Sequence, residues 1–268
     1  MFKTRLLSGI VLVIIAFLTI YTGGNVLWAT LAIISLIGLK EIYSVVKVEK
    51  SLLGAVGYLV TIAFYGILKF ANADANYQVM LFIILMVAVM AVYVFSFPKF
   101  DSEQVSMTFF GVIYVPAMLS YIYQTRCLQD GIFLVGLLFL CSWGCDTCAY
   151  CVGVLFGKHK MAPKLSPKKS VEGAIGGLAG AALLGALYAM AINKWGGASA
   201  VPTLYAVICF IGGMISMVGD LCASAIKRNK DIKDYGTLIP GHGGILDRFD
   251  SVIFTAPVIY YLAMVLMQ

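Results

Sequence analysis

Long apolar runs separated by mostly short polar connections dominate this 268-residue chain, of which 61% is hydrophobic and 12% is charged. A bilayer core roughly 30 Å thick needs about 20 apolar residues per helix, and nine runs meet or approach that length. We therefore expect an all-α, polytopic integral membrane protein with about nine transmembrane helices. The second run is short, which predicts a tilted or partly re-entrant segment. The runs cover residues 6–21, 26–39, 52–70, 77–97, 105–123, 132–156, 173–192, 202–226 and 251–267.

The basic residues follow the topology of these runs. Of the 19 Lys and Arg, only Lys69, Arg126 and Lys194 lie in one alternating set of connections; the others lie at the N-terminus or in the opposite set. The positive-inside rule then places the N-terminus in the cytoplasm. The net charge of +6 is thus explained by topology, and we expect no nucleic-acid partner.

Seven cysteines are an odd number, and nearly all of them lie inside apolar runs. No disulfide framework is indicated. Cys145, Cys148 and Cys151 have a CxxCxxC spacing found in iron–sulfur proteins, but the rest of that pattern is absent. We favour a structural role for them in helix packing.

Two connections are long, 157–172 and 227–250, and both are predicted to face the cytosol. Topology and anionic headgroups account for their lysines but not for the acids nearby. Asp146 and Asp220 lie inside apolar runs, where an ionised carboxylate is costly and usually functional. Asp220, Ser224 and Lys227 share one helical face. The alternative is that Asp220 merely pairs with a cation near Lys227.

The stretch PGHGGILDRFDS, residues 240–251, precedes the last apolar run. Glycine-rich backbone before a helix N-terminus suits a phosphate, although the chain has no GxxxxGK[ST] motif. Asp247 and Asp250 are three residues apart and share a helical face, as oxygen ligands of Mg²⁺ could. His242 has two interpretations, a hydrogen bond to phosphate or a packing and capping role.

The segment SAIKRNKDIKDYGTLIPGHGGILDRFD, residues 224–250, resembles the signature of the phosphatidate cytidylyltransferase (CDP-diacylglycerol synthase) family. That signature reads S-x-aliphatic-K-R, four residues, K-D-x-G, then P-x-H-G-G-x-x-D-R-x-D, and every fixed position is filled. Residues 146–177 resemble a second block of the family. The first 130 residues resemble the family only in that they form apolar helices.

The resemblance implies transfer of a cytidylyl group from CTP to membrane phosphatidate, with Mg²⁺ and, as an option, a second metal ion. The short connections between the runs predict one membrane-embedded domain. The resemblance divides it into N-terminal helices in 1–130 and catalytic helices and cytosolic loops in 131–268. Asp220 and Asp247 become the leading metal ligands, with Asp146 and Asp250 as supporting or second-metal carboxylates. Tyr235 is assigned either to base stacking or to packing. The catalytic groups are Asp247 and Asp250 together with Lys227 and Arg248. The substrate-binding groups are Ser224, Arg228, His242, Gly243, Gly244, Lys168 and Lys169, the last two in an SPKK turn.

Two other functions compete with this one. A CTP-dependent polyprenol or phytol kinase shares the nucleotide and a lipid acceptor, but the complete signature favours the cytidylyltransferase. A transporter would also carry intramembrane acids, yet it needs no large basic loops. GxxxG spacings in the seventh run permit close helix contact, either within the chain or in a homodimer.

The charge pattern predicts a multi-pass protein of the cell membrane with its active site facing the cytosol. Ser166→Cys and Lys230→Cys should then be protected from an impermeant maleimide in intact cells, in a background free of other cysteines. Asn193→Cys should react, because residue 193 is expected outside. Labelling of residue 166 from outside would reverse the orientation.

Overall fold

The computed structural model describes residues 2–71 and 73–266, with side chains from residue 8 onward. Met267, with which the last predicted run ended, and the side chains of Lys3 and Arg5 lie outside the described residues. The elements are α1 Phe2–Thr22, α2 Gly24–Val45, α3 Leu52–Phe70, α4 Ala75–Phe95, α5 Ser102–Val112, α6 Met118–Arg126, α7 Gly131–Phe139, α8 Cys145–Phe156, β1 Lys160–Ala162, β2 Ser166–Ser170, α9 Val171–Trp195, α10 Pro202–Asn229 and α11 Leu246–Leu266.

Eight helical segments within the described residues are long and apolar enough to cross a membrane. A shorter apolar stretch, Ser8–Thr22, belongs to α1. The predicted all-α, polytopic membrane fold is confirmed. The number of nine spans and the orientation of the N-terminus stay predictions.

The second predicted span differs from expectation. The apolar run stopped at residue 39, yet α2 continues to Val45 and is 22 residues long. The run looked short because Lys40 and Glu41 interrupt the apolar pattern, although both are helical. The segment is therefore not short, and α2 is long enough for a full span. Its tilted or partly re-entrant placement stays a prediction.

Two of the candidate spans contain a π-helical segment, and each is continuous through it. Ile113–Ala117 joins α5 to α6 and contains Pro116, whose ring nitrogen cannot donate to the helical ladder. Leu140–Gly144 joins α7 to α8, directly before Asp146. Such π-bulges are frequent at functional sites because they re-aim the following turn.

The chain separates into two compact units. The first runs to Tyr123 and includes Asp234–Arg248; the second comprises Gln124–Lys233 and the chain from Phe249 onward. In the first unit, the fully buried Tyr43 of α2 donates a hydrogen bond to the Thr108 carbonyl of α5 at 2.8 Å. This bond fixes α2 against α5.

In the second unit, α9 packs against α8 through its glycines. A Cβ at Gly177 would lie 2.8 Å from the Cβ of Ala149, and one at Gly180 would lie 2.6 Å from the Cβ and Sγ of Cys148. The GxxxG spacing thus serves a close contact within the chain, and Cys148 forms part of that contact. All seven cysteines are free thiols.

The first long connection contains a β-hairpin, with β1 antiparallel to β2. The predicted SPKK turn is instead strand β2, which tolerates Pro167 because a two-stranded sheet has only edge strands. Side chains alternate along a strand, so Lys168 is exposed while Lys169 is half-buried. Ser170 then caps α9 by accepting a hydrogen bond from the Gly173 N–H at 3.1 Å.

Adding one methyl group at the α8–α9 contact should destabilise the protein. Gly177→Ala should lower stability by about 1–3 kcal/mol, the usual cost of overpacking, measured as a lower thermal midpoint in detergent. Gly66→Ala is the matched control, since a Cβ at Gly66 meets no atom within 4 Å. Equal midpoints for the two variants would contradict this packing.

Candidate functional site

Three carboxylates of the second unit lie within electrostatic reach of one another. Asp146 belongs to α8, Asp220 to α10 and Asp250 to α11, and Asp220 repels both of the others. The Ser251 hydroxyl donates to Asp146 Oδ2 at 3.4 Å, and the Ser251 N–H donates to Asp250 Oδ1 at 2.8 Å. Ser251 thus orients two of the three acids.

A glycine in α10 permits this cluster. A Cβ at Gly219 would lie 2.8 Å from the carbonyl oxygen of Asp250 and 3.1 Å from the ring of Phe254. Only a residue without a side chain allows α10 to approach α11 so closely at this level. Asp220 is the next residue after Gly219, so its carboxylate lies near the first turns of α11.

Lysine side chains supply the counter-charge. Lys169 of β2 forms an ion pair with Asp220, and the two side chains are 25% and 26% exposed. Lys227 of α10 attracts Asp250. The alternative in which Asp220 pairs near Lys227 is therefore not what the structure shows, because the hairpin brings Lys169 to it.

The remaining predicted residues of α10 and the hairpin have distinct positions. The Ser224 hydroxyl donates to Asp220 Oδ1 at 3.4 Å, which confirms that the two share a helical face. Arg228 is exposed and donates from Nη1 to the Ile232 carbonyl at 3.3 Å. Lys168 is also exposed. Arg228 and Lys168 are therefore open to solvent, and neither is part of the acidic cluster as the structure stands.

In the first unit, residues 235–247, which include the glycine-rich stretch 240–244, fold around Asp247. Asp247 is 6% exposed. Its Oδ2 accepts hydrogen bonds from the N–H groups of Tyr235 at 2.8 Å and Gly244 at 3.0 Å. Gly243 has a φ of 85°, a conformation that favours glycine. A Cβ there would also lie 2.8 Å from Asp247 Oδ2. Asp247 therefore organises the turn that the sequence predicted as a phosphate cradle.

Two side chains of this segment have packing partners. His242 Nδ1 is hydrogen-bonded to the Ser8 hydroxyl of α1 at 2.8 Å. Tyr235 is only 5% exposed, so its ring packs inside the first unit. Burial therefore favours the packing interpretation for Tyr235. For His242 the hydrogen bond to Ser8 is observed, and its role toward phosphate stays a prediction.

Sequence reasoning missed Glu41. Its Oε1 accepts from the Ile245 N–H and its Oε2 from the Leu246 N–H, both at 2.9 Å. Leu39, Ile42 and Tyr43 continue the apolar helical pattern around it, a signal that should have extended α2 through this acid. An acid inside a membrane helix is itself a mark of function.

The acidic cluster suits Mg²⁺ in ligand type. Carboxylate oxygens are its preferred protein ligands, and it usually takes one or two of them together with waters and substrate phosphates. Across residues 2–71 and 73–266, no three His, Cys, Asp or Glu side chains are arranged closely enough to hold a metal by themselves. Asp146, Asp220 and Asp250 therefore supply carboxylate oxygens of the type that Mg²⁺ prefers, but the three do not by themselves form a metal site. Asp247 lies in the first unit, among its own backbone partners.

Fold and side chains together define a polytopic membrane protein that keeps carboxylates, lysines and a glycine-rich turn within or next to its apolar helices. The chain matches the model of the Cytidylyltransferase family over residues 3–266, and it belongs to that family. It is 32% identical over 267 residues to a protein of Staphylococcus haemolyticus named phosphatidate cytidylyltransferase, covering 97% of this chain and 98% of the relative. A Bacillus subtilis protein of the same name is 32% identical over 270 residues, with 97% of each chain covered.

Proposed function

We propose that this chain is a phosphatidate cytidylyltransferase, which transfers the cytidylyl group from CTP to phosphatidate and releases pyrophosphate. The observation that carries the proposal is the end-to-end similarity to relatives of that name, joined to a signature whose residues 224–250 fill every fixed position. A soluble nucleotide and a lipid are both phosphate-bearing substrates. A polar site in membrane helices suits the meeting of the two.

The reaction needs orientation and charge neutralisation more than covalent chemistry by the protein. An oxygen of the phosphatidate phosphate forms a bond to the α-phosphorus of CTP, and the bond from that phosphorus to the bridging oxygen of the β-phosphate breaks. The acceptor is already an anion, so no residue has to remove a proton from it. Lys169 and Lys227, beside the carboxylates, are placed to attract phosphate.

We assign Asp220 to the divalent cation, with Asp146 and Asp250 in support. When bound, Mg²⁺ would neutralise phosphate charge and polarise the reacting phosphoryl group. Ser224 and Ser251 hold these carboxylates by hydrogen bonds. Asp247 supports the glycine-rich turn in our assignment, and its role as a metal ligand stays a prediction.

Arg248 supports an anion-binding role for the signature segment. Its Nε is buried and has no hydrogen-bond partner among the residues that the structure describes. A buried donor of this kind is costly unless a ligand satisfies it, and guanidinium suits phosphate oxygens. Because CTP is a cytosolic nucleotide, we also place this segment and the hairpin at the cytosolic face of the cell membrane.

The phosphorus attacked separates this function from a CTP-dependent lipid kinase. With purified protein, CTP and phosphatidate, label from α-³²P CTP should enter the lipid fraction, and γ label should leave as pyrophosphate. A kinase would also need a base to activate a hydroxyl. His242→Ala should therefore retain part of the activity, since no proton is removed by His242.

Two outcomes of this assay would contradict the proposed function. Lipid labelled from the γ position would assign the chain to the kinases. Labelling with ATP, GTP or UTP in place of CTP would contradict the cytidylyl specificity.

A further inference from the structure

Glu41 holds the start of α11 from a distant part of the chain. Its two carboxylate oxygens accept one hydrogen bond each from the N–H groups of Ile245 and Leu246. Glu41 is 8% exposed, and both hydrogen bonds are buried. The acid lies 204 residues before Ile245, so this contact depends on the fold of the whole first unit.

The contact replaces an ordinary helix cap. The first N–H groups of a helix have no partner inside it, and a Ser, Thr, Asp or Asn just before the helix usually accepts from them. Here Ile245 precedes α11, and its side chain has no acceptor. The carboxylate of Glu41 fills that role and places negative charge at the positive end of the helix.

Two glycines, Gly236 and Gly244, leave the space that the Glu41 carboxylate occupies. A Cβ at Gly244 would lie 2.5 Å from both Glu41 oxygens, and one at Gly236 would lie 2.7 Å from Oε1. Gly244 is not among the glycines with positive φ. The reason for glycine at position 244 is therefore the space that Glu41 occupies.

We infer that Glu41 is a positioning residue for the proposed cytidylyl transfer. It fixes residues 236–246 and the first turn of α11, and thereby sets the direction of Asp247 and Arg248. Asp247 accepts from Gly244 within the same segment, so the two carboxylates hold one loop from two sides. The inference rests on the proposed function for its effect on catalysis, and on the first unit alone for its geometry.

The test compares Glu41→Gln with Glu103→Gln in the purified full-length protein. Glu103 is exposed in the first turn of α5, so it controls for loss of one charge in the same unit. Glutamine keeps the shape of the acid but turns an amide N–H₂ towards a backbone N–H. We expect amide hydrogen exchange in residues 236–248 to be about tenfold faster and the KM for CTP to rise about tenfold, the size of effect for weakening one charged hydrogen bond.

Exchange in α3 should stay unchanged in Glu41→Gln. A general loss of folded protein would lower the maximal rate without raising the KM for CTP, so this pair of readouts separates positioning from bulk stability. If Glu41→Gln does not fold, Gly244→Ala tests the positioning role of Glu41 instead. This variant keeps the Glu41 carboxylate but places a methyl group against both of its oxygens. Gly244→Ala should show the same local exchange and the same KM effect, with Gly66→Ala as its control.

Unchanged exchange in residues 236–248 and an unchanged KM for CTP in folded Glu41→Gln would overturn the inference. Failure of the wild-type protein and of Glu103→Gln to convert CTP and phosphatidate would instead refute the proposed function. The exchange measurement needs no substrate, so it still decides whether Glu41 holds the segment.

Discussion

An ionised carboxylate inside an apolar helix must meet a cation or several N–H groups, because alone it costs several kcal/mol. The polar architecture of this protein follows from that constraint. Glu41 meets two backbone N–H groups at the start of α11, and Asp247 meets those of Tyr235 and Gly244. Asp220 instead meets the side chain of Lys169. Glu41 and Asp247 therefore hold backbone segments in place. The partner of Asp220 is instead a lysine side chain, for which a ligand can compete.

This difference separates the supporting residues from those proposed to bind substrate. Backbone N–H groups keep a carboxylate engaged whatever ligand is present, which suits a structural role. In the proposed reaction, Lys169 would move from Asp220 to a substrate phosphate and leave the carboxylate to the cation. The repulsion that Asp220 exerts on Asp146 and Asp250 would be relieved by that cation. Membership of the cytidylyltransferase family is the ground on which we propose phosphate chemistry for these residues.

Much of the fold could be predicted from the sequence, because apolar run length and helix period carry most of the information about membrane helices. The hairpin was missed because Pro and Lys are depleted in strands, and neither paired segment shows an alternating apolar pattern that would have predicted a strand. Asp146 and Asp220 could be found as acids within apolar runs, and Asp250 from its spacing to Asp247 in the signature. Glu41 was missed because its partners are backbone groups 204 and 205 residues away, and no motif in the sequence records such a contact.

We propose that CDP-diacylglycerol formation depends on a divalent cation held at Asp220. The direct measurement is CDP-diacylglycerol formation as a function of Mg²⁺ concentration, in wild type, Asp220→Asn and Asp231→Asn. Asp231 is exposed and has a φ of 52°, a conformation that asparagine also accepts, so it controls for the substitution itself. We expect Asp220→Asn to be inactive or to need at least about tenfold more Mg²⁺, as loss of a charged ligand predicts. Equal activity and equal Mg²⁺ dependence of the two variants would contradict the account.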